Sequence, residues 1–477
     1  MDANKTKQPK ALPFLCLTET WERFGFYVVQ GLLVLYMTQY FGYSDNDSYT
    51  ILGVFTALAY ISPLVGGFLA SHLIGFKTAI VWGGFFLVLG YALLALPYGD
   101  KLLYPALATI IVGNGLFKPN ISSLLGTQYN TNDPRREPGF TIFYVGINIG
   151  ALLAGLSSGY IKEFFGWQMS FALASIGLII GLATFAYGLT YLKNVQKDLV
   201  PRTKKLKWQL FFYCIVAIIG INFLLTLNIL ASWLLPCVGG LLLIYLTMLT
   251  MQQKGDARKN MFVLNVLILS SVVFWMLFFQ MFYSTNLFIE RLVDKELFGI
   301  PLTTTVFYAS ESMFVILLGP LFAWVWHVLG NKNKNPSQIN KFVFGIFFTG
   351  LGFSVLGLST FYPNNVGLIN PAWIFFSYFL ITIGELLLSP IGLSAVTTLA
   401  PARLAGLMMG VWFVANGFGG IFAGLLAKLS SIPDEASPLV EKLAIYQHAF
   451  MDYAYIAFFV SITLFLIQVS VKRILRK

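Results

Sequence analysis

The chain has 477 residues, of which 57% are hydrophobic and only 11% charged, and its formal net charge is +11. A water-soluble domain carries about 25% charged residues, so this chain cannot cover a folded exterior with charge and must turn its outer face to lipid. The positive excess is not a nucleic-acid footprint, because it is gathered in the segments between apolar runs.

The polar, basic opening MDANKTKQPK leads into the first apolar run with no small-residue cleavage site, so that run is expected to remain as an anchor. A helix needs about 20 apolar residues to cross a bilayer. Such runs occur near 12–41, 50–73, 78–97, 102–126, 139–161 and 168–192. Two more lie at 208–229 and 232–251, and a last six at 261–289, 304–329, 341–361, 371–398, 404–427 and 447–470. The expectation is an all-α integral membrane protein with 14 transmembrane helices grouped six, two and six. Residues 1–192 would form an N-terminal six-helix bundle, and 261–477 a C-terminal one. Residues 193–260 would supply a basic cytoplasmic linker, with KNVQKDLVPRTKKLK at 193–207, and two additional transmembrane helices. No series of alternating segments supports a β-barrel.

With the N-terminus in the cytoplasm, 23 of the 31 Lys and Arg residues fall on the cytoplasmic side, 6 on the far side and 2 in the membrane. That asymmetry orients a multi-pass protein with both termini cytoplasmic, and it explains the net charge as topology. Cys16, Cys214 and Cys237 are odd in number and show no metal or redox spacing, so they are expected to be reduced, buried packing residues. His72, His327 and His448 fall at the ends of runs, where interfacial water solvates them. No metal or cofactor is expected.

Six ionisable residues remain deep inside apolar runs: Glu19, Glu22, Arg23, Lys118, Glu311 and Glu385. Each costs ~2.5–3.5 kcal/mol at a helix centre, and such residues usually face the protein interior and line a substrate or ion path. At 100° per residue, Glu19, Glu22, Arg23, Phe26, Tyr27 and Gln30 fall on one helical stripe. Glu19 is expected to pair with Arg23 at i, i+4, leaving Glu22 for a cation on another helix. Lys118, in GNGLFKPNISSLL, is the only Lys in the membrane interior. Buried opposite charges keep each other ionised, so protonating the carboxylate would release the lysine, as in a proton-coupled switch. Pro119 follows Lys118 directly and Pro390 follows Glu385 by five residues, and each weakens its helix locally. A membrane-embedded hydrolase would need a nucleophile with a base, or a metal set, and neither accompanies the acidic cluster; the chain is read as not an enzyme.

These residues resemble a family. ETWERFGFY (19–27) is similar to the E-x-x-E-R-F-x-Y-Y signature on the first helix of the proton-dependent oligopeptide transporters, a branch of the major facilitator superfamily. LFKPNISSLLG (116–126) resembles their lysine-bearing fourth helix, and FYVGINIGALL (143–153) their F-Y-x-x-I-N-x-G segment. VFWMLFFQMFYST (273–285), IGELLLSPIGLS (383–394) and GVWFVANGFGG (410–420) resemble their seventh, tenth and eleventh helices. The resemblance implies the major facilitator fold, a bacterial inner membrane, a protein functional as a monomer, and import of di- and tripeptides with protons. Glu19, Glu22, Arg23 and Lys118 would couple protons to movement. Lys118 and Asn148 would meet the peptide carboxylate and backbone, and Glu385 the amino end. Tyr27, Gln30, Tyr60, Trp275, Gln280, Glu311, Trp412 and Asn416 would complete the substrate site. A zwitterionic ligand calls independently for a cation at one end and a carboxylate at the other.

The departures from the family pattern bear on selectivity. Phe26 replaces a signature tyrosine, Gln30 stands where many members have arginine, and Phe278 and Phe279 stand where some place a glutamate. Ser71 and His72 replace the usual Asp-Arg of the loop after the second helix, and Glu311 stands where an asparagine is common. An added acid at 311 points to a second reading, in which the cargo is an amino acid or another cationic or nitrogenous solute.

Overall fold

A computed structural model describes residues 7–130, 133–192, 203–332 and 334–475. Lys5, the basic segment over 193–202, Arg476 and Lys477 lie outside the described residues. The described chain is almost wholly helical: α1 (Leu12–Leu35), α2 (Asp45–Leu69), α3 (Phe76–Ala95), α4 (Leu103–Gly126), α5 (Arg136–Phe165) and α6 (Trp167–Gly188) come first. Next come α7 (Lys204–Thr226) and α8 (Asn228–Gln252). Last come α9 (Gly255–Phe278), a short α10 (Ser284–Leu292), α11 (Thr304–Asn331), α12 (Gln338–Ser359), α13 (Ala372–Leu399), α14 (Ala405–Ala427) and α15 (Leu439–Leu475). With α9 and α10 taken as one interrupted span, these are the 14 expected crossings. Among the described residues, 12 spans satisfy length and apolarity alone. The two that fall short are α1 and α4, which carry Glu19, Glu22 and Arg23 in one case and Lys118 in the other.

Local chemistry sets several helix ends. Pro13 opens α1, where its missing N–H costs nothing. Thr203 and Ser337 cap α7 and α12, each side-chain oxygen accepting a backbone N–H at 3.3 Å. Gly166, at φ +84°, turns the chain directly from α5 into α6. Two ends close in π-helical turns, Tyr36–Tyr40 after α1 and Ala70–Ile74 after α2. The second holds Ser71 and His72, whose Oγ and Nδ1 lie 2.8 Å apart at an exposed position. His327 and His448 are exposed as well.

The chain divides into two compact units. The first comprises the residues up to Tyr36 together with Leu58–Asn228; the second comprises Met37–Ala57 together with Ile229–Lys477. In the first unit α1 packs on α5 and α6, and α3 on α4 and α6. Gly146 and Gly150, one helical turn apart on α5, admit the close approach of α1: a Cβ at Gly150 would collide with the Thr20 carbonyl. Thr20 Oγ donates to the Gly146 carbonyl at 2.9 Å and ties the same contact. The helix α7 lies against this unit, with Cys214 buried among residues of α3 and α4.

In the second unit α12 packs on α13 and α15, and α9 on α13 and α14. The first half of α2 belongs here, with Tyr283 donating its hydroxyl to Thr56 Oγ at 2.8 Å and to the Leu52 carbonyl at 3.0 Å. Arg291 bridges both oxygens of Asp45 at 2.8 Å and also pairs with Glu435. Between α10 and α11 the chain forms a two-residue ladder, Glu296–Leu297 with Ile300–Pro301. Two cysteines depart from the expectation of burial: Cys16 is half-buried on α1, and Cys237 is exposed on α8, a helix whose described side chains are mostly exposed.

Candidate functional site: two groups of buried ionisable side chains

The first group sits in the first unit. Glu19, Glu22 and Arg23 are at most 2% exposed, though all three would be charged in water. The pairing differs from the one expected from helical spacing. Arg23 donates from Nε and Nη2 to the two oxygens of Glu22, at 2.5 and 2.6 Å, whereas Glu19 approaches Arg23 Nε only at 3.5 Å. Glu22 is therefore not left over for a cation on another helix. The i, i+4 rule describes isolated exposed pairs; in a buried site the geometry with two charge-assisted hydrogen bonds wins. One oxygen of Glu19 has no hydrogen-bond partner.

Asn114, one helical turn before Lys118 on α4, accepts from Arg23 Nη2 at 3.1 Å and donates to the Ala59 carbonyl at 2.6 Å. It links the ionic cluster to α2, and sequence reasoning missed it. The available signal was a polar side chain in GNGLFK, on the lysine's own helix face. Tyr91 was missed too. Its hydroxyl is buried without a hydrogen-bond partner, within electrostatic reach of Glu22.

Lys118 is half-buried and forms no ion pair among the described residues. Its ammonium lies 4.5 Å above the centre of the Tyr60 ring, a cation–π contact, and within electrostatic reach of Glu19 and Glu22. Tyr27 and Tyr60 are half-buried, whereas Gln30 is 2% exposed. Phe26, which replaces a signature tyrosine, offers its ring to the Arg23 guanidinium at 4.8 Å. Asn148 is buried on α5 and donates back to the Tyr144 carbonyl at 3.0 Å.

The second group sits in the second unit. Glu311 on α11 and Glu385 on α13 are both buried, and their carboxyl groups lie against each other. Ser312 Oγ donates to Glu311 at 3.0 Å, and one oxygen of Glu385 has no hydrogen-bond partner. Trp275, Trp412 and Asn416 are buried, and the Trp275 indole N–H and the Asn416 carbonyl oxygen also lack partners. Trp412 lies over Gly392, where any side chain would strike its ring. Gln280 is fully buried with its amide already engaged: it donates to Ala423 and Met276 carbonyls at 2.9 and 3.2 Å and accepts from Ser284 at 2.6 Å. It ties the end of α9 to α14. No group of three or more His, Cys, Asp or Glu side chains fit to hold a metal occurs among the described residues.

A helical chain with 12 apolar spans among its described residues, and with acids, one arginine and one lysine sheltered inside it, describes a multi-pass transporter. Residues 77–444 match the family model described as PTR2, POT family, and the chain belongs to that family. It is 35% identical to dipeptide and tripeptide permease A of Yersinia pestis, covering 97% of this chain and 93% of the relative. It is 37% identical to the protein of that name from Chromobacterium violaceum, covering 94% and 90%. A crystal structure of a peptide transporter POT in complex with sulfate superposes with a TM-score of 0.85 at 30% identity, covering 98% of this chain and 96% of the other.

Proposed function

We propose that the chain is a proton-coupled symporter that imports di- and tripeptides by alternating access across a bacterial inner membrane, working as a monomer with both termini cytoplasmic. The 1–192 and 261–477 bundles are the working parts, and the helices within 193–260 are an addition to them. The observation that carries the reading is the charge balance of the first group. Arg23 stands beside two carboxylates, so the trio holds one net negative charge, and the nearby Lys118 ammonium balances it. When the lysine turns to a peptide carboxylate, that negative charge loses its partner in a medium of low dielectric. A proton on one of the acids restores neutrality. Glu19, held by one long contact and with a bare oxygen, is the acid positioned to take it.

The substrate roles follow from chemistry. Lys118 and Asn148 meet the peptide's carboxylate end, and Glu385 its ammonium. Tyr27, Gln30, Tyr60, Trp275, Trp412 and Asn416 wall the site, while Gln280 acts as a positioning residue. Binding termini and backbone, not side chains, gives tolerance among peptides. No catalytic residue is assigned.

The test is uptake of dialanine into vesicles containing the purified chain. Accumulation under an inward proton gradient, lost when the gradient is collapsed, supports the reading; folded protein that shows neither gradient-driven uptake nor counterflow overturns it. A second reading, transport of an amino acid or other cationic solute, draws on Glu311 beside Glu385, since paired acids favour positive charge. Ligand-induced thermal stabilisation separates the two: a cationic solute that stabilises the chain where dipeptides do not favours the second.

A further inference from the structure

Glu311 and Glu385 pose a problem of charge. They come from different helices, are 8% and 9% exposed, and turn their carboxyl groups toward each other. The elements around them bring no cation. Among described residues α14 carries no charged side chain, and the charges of α9 (Asp256, Arg258 and Lys259) are exposed near its first turn. Lys341 of α12 rests 4.0 Å above the Trp326 ring, and His327 of α11 is exposed beside Asn331. Glu290 and Arg291 of α10 are engaged by Lys295, Asp45 and Glu435. The titratable neighbour that does face the pair is Tyr378, seven residues before Glu385 on the same face of α13. Tyr378 is 1% exposed, and its hydroxyl lies within electrostatic reach of Glu311 and has no hydrogen-bond partner.

Two carboxylates in contact, out of water and without a cation, cannot both stay ionised. We propose that Glu311 and Glu385 share one proton, and that a primary ammonium group displaces it when a ligand binds. The exchange balances. The carboxyl O–H bond breaks and the proton leaves to water, while the ammonium donates N–H groups to both carboxylates. The site carries one net negative charge before and after, so burial tolerates both states. The displacement half rests on the reading of Glu385 as the residue that meets the ligand's ammonium; the shared proton does not.

The experiment uses the full chain in lipid vesicles and reads the carboxylic-acid C=O stretch by infrared difference spectroscopy at neutral pH. A band present in the wild type and lost in both Glu311→Gln and Glu385→Gln is expected, because the glutamine amide replaces the shared proton as donor to an ionised partner. A band of equal intensity in the wild type and Glu311→Gln overturns the shared proton. Glu311→Asn serves the same purpose if the glutamine variant fails to fold, as judged by thermal unfolding.

Saturating dialanine should remove the Glu311-dependent part of the band, whereas N-acetyl-dialanine should leave it; methylammonium, which offers no carboxylate to Lys118, should in weakly buffered solution release about one proton per chain. Survival of that part with dialanine bound overturns the displacement. If dialanine does not bind the wild type, the peptide reading falls. The infrared comparison still decides the shared proton, and methylammonium in place of dialanine decides the displacement.

Discussion

Arg23 grips Glu22 through two nitrogens, at 2.5 and 2.6 Å, although the two are adjacent in sequence and project about 100° apart on the helix. The long guanidinium arm folds back to close a two-bond fork, which Lys could not make. Arg23→Lys should therefore keep the charge and lose the geometry. Proton-driven dialanine uptake should fall at least tenfold, about 1.4 kcal/mol or more of lost coupling or binding. Initial rates in vesicles check this, and wild-type rates would contradict the role of the fork.

The acids of this trio should separate driving force from transport. Glu22→Gln should abolish uphill accumulation under an inward proton gradient while dialanine counterflow persists, because the amide removes the net negative charge that calls for a proton at Glu19. Comparing gradient-driven uptake with counterflow in the same vesicles decides it, and retained accumulation would remove Glu22 from coupling.

Lys118 forms no ion pair among the described residues. Wild type should bind dialanine more tightly than dialaninamide by about tenfold or more, the scale of one charge-assisted hydrogen bond of ~1.5–3 kcal/mol. Lys118→Ala should erase the difference. Competition against labelled dipeptide measures it.

Asn114 joins Arg23 to the Ala59 carbonyl, so Asn114→Leu should leave buried donor and acceptor groups unmet. The expected loss is about 1–3 kcal/mol, read as a lower thermal midpoint together with weaker uptake. Asn114→Asp, which keeps an acceptor for Arg23, should retain more of both.

The glycines of α5 give a packing test. Gly150→Leu places a side chain against the backbone of α1 and should destabilise by about 1–3 kcal/mol. Gly220→Ala, where a Cβ meets nothing within 4 Å, should change stability by no more than about 1 kcal/mol. Thermal unfolding of the pair tells close packing from a general intolerance of substitution.

The crossings could be read along the chain because their cause is local: a bilayer demands apolar length, and 12 of the spans among the described residues satisfy it alone. The anomalous charges were legible for the same reason, since an acid in an apolar run stands out whatever surrounds it. Partner choice was not. Whether Arg23 takes Glu19 or Glu22, whether Asn114 or Tyr91 joins them, and whether Glu311 meets Glu385 all depend on which helices pack together. The break between α9 and α10 shows this most clearly. Phe279–Phe282 contains no glycine or proline, yet the helix tightens there, fixed by Gln280 on the Ala423 carbonyl and by Tyr283 on Thr56 and Leu52. Composition and spacing set how many times this chain crosses the bilayer and which groups it must shelter there. The tertiary structure alone decided the partner of each sheltered group, because a buried charge or dipole is stabilised by neighbours distant in sequence, and no local rule counts those.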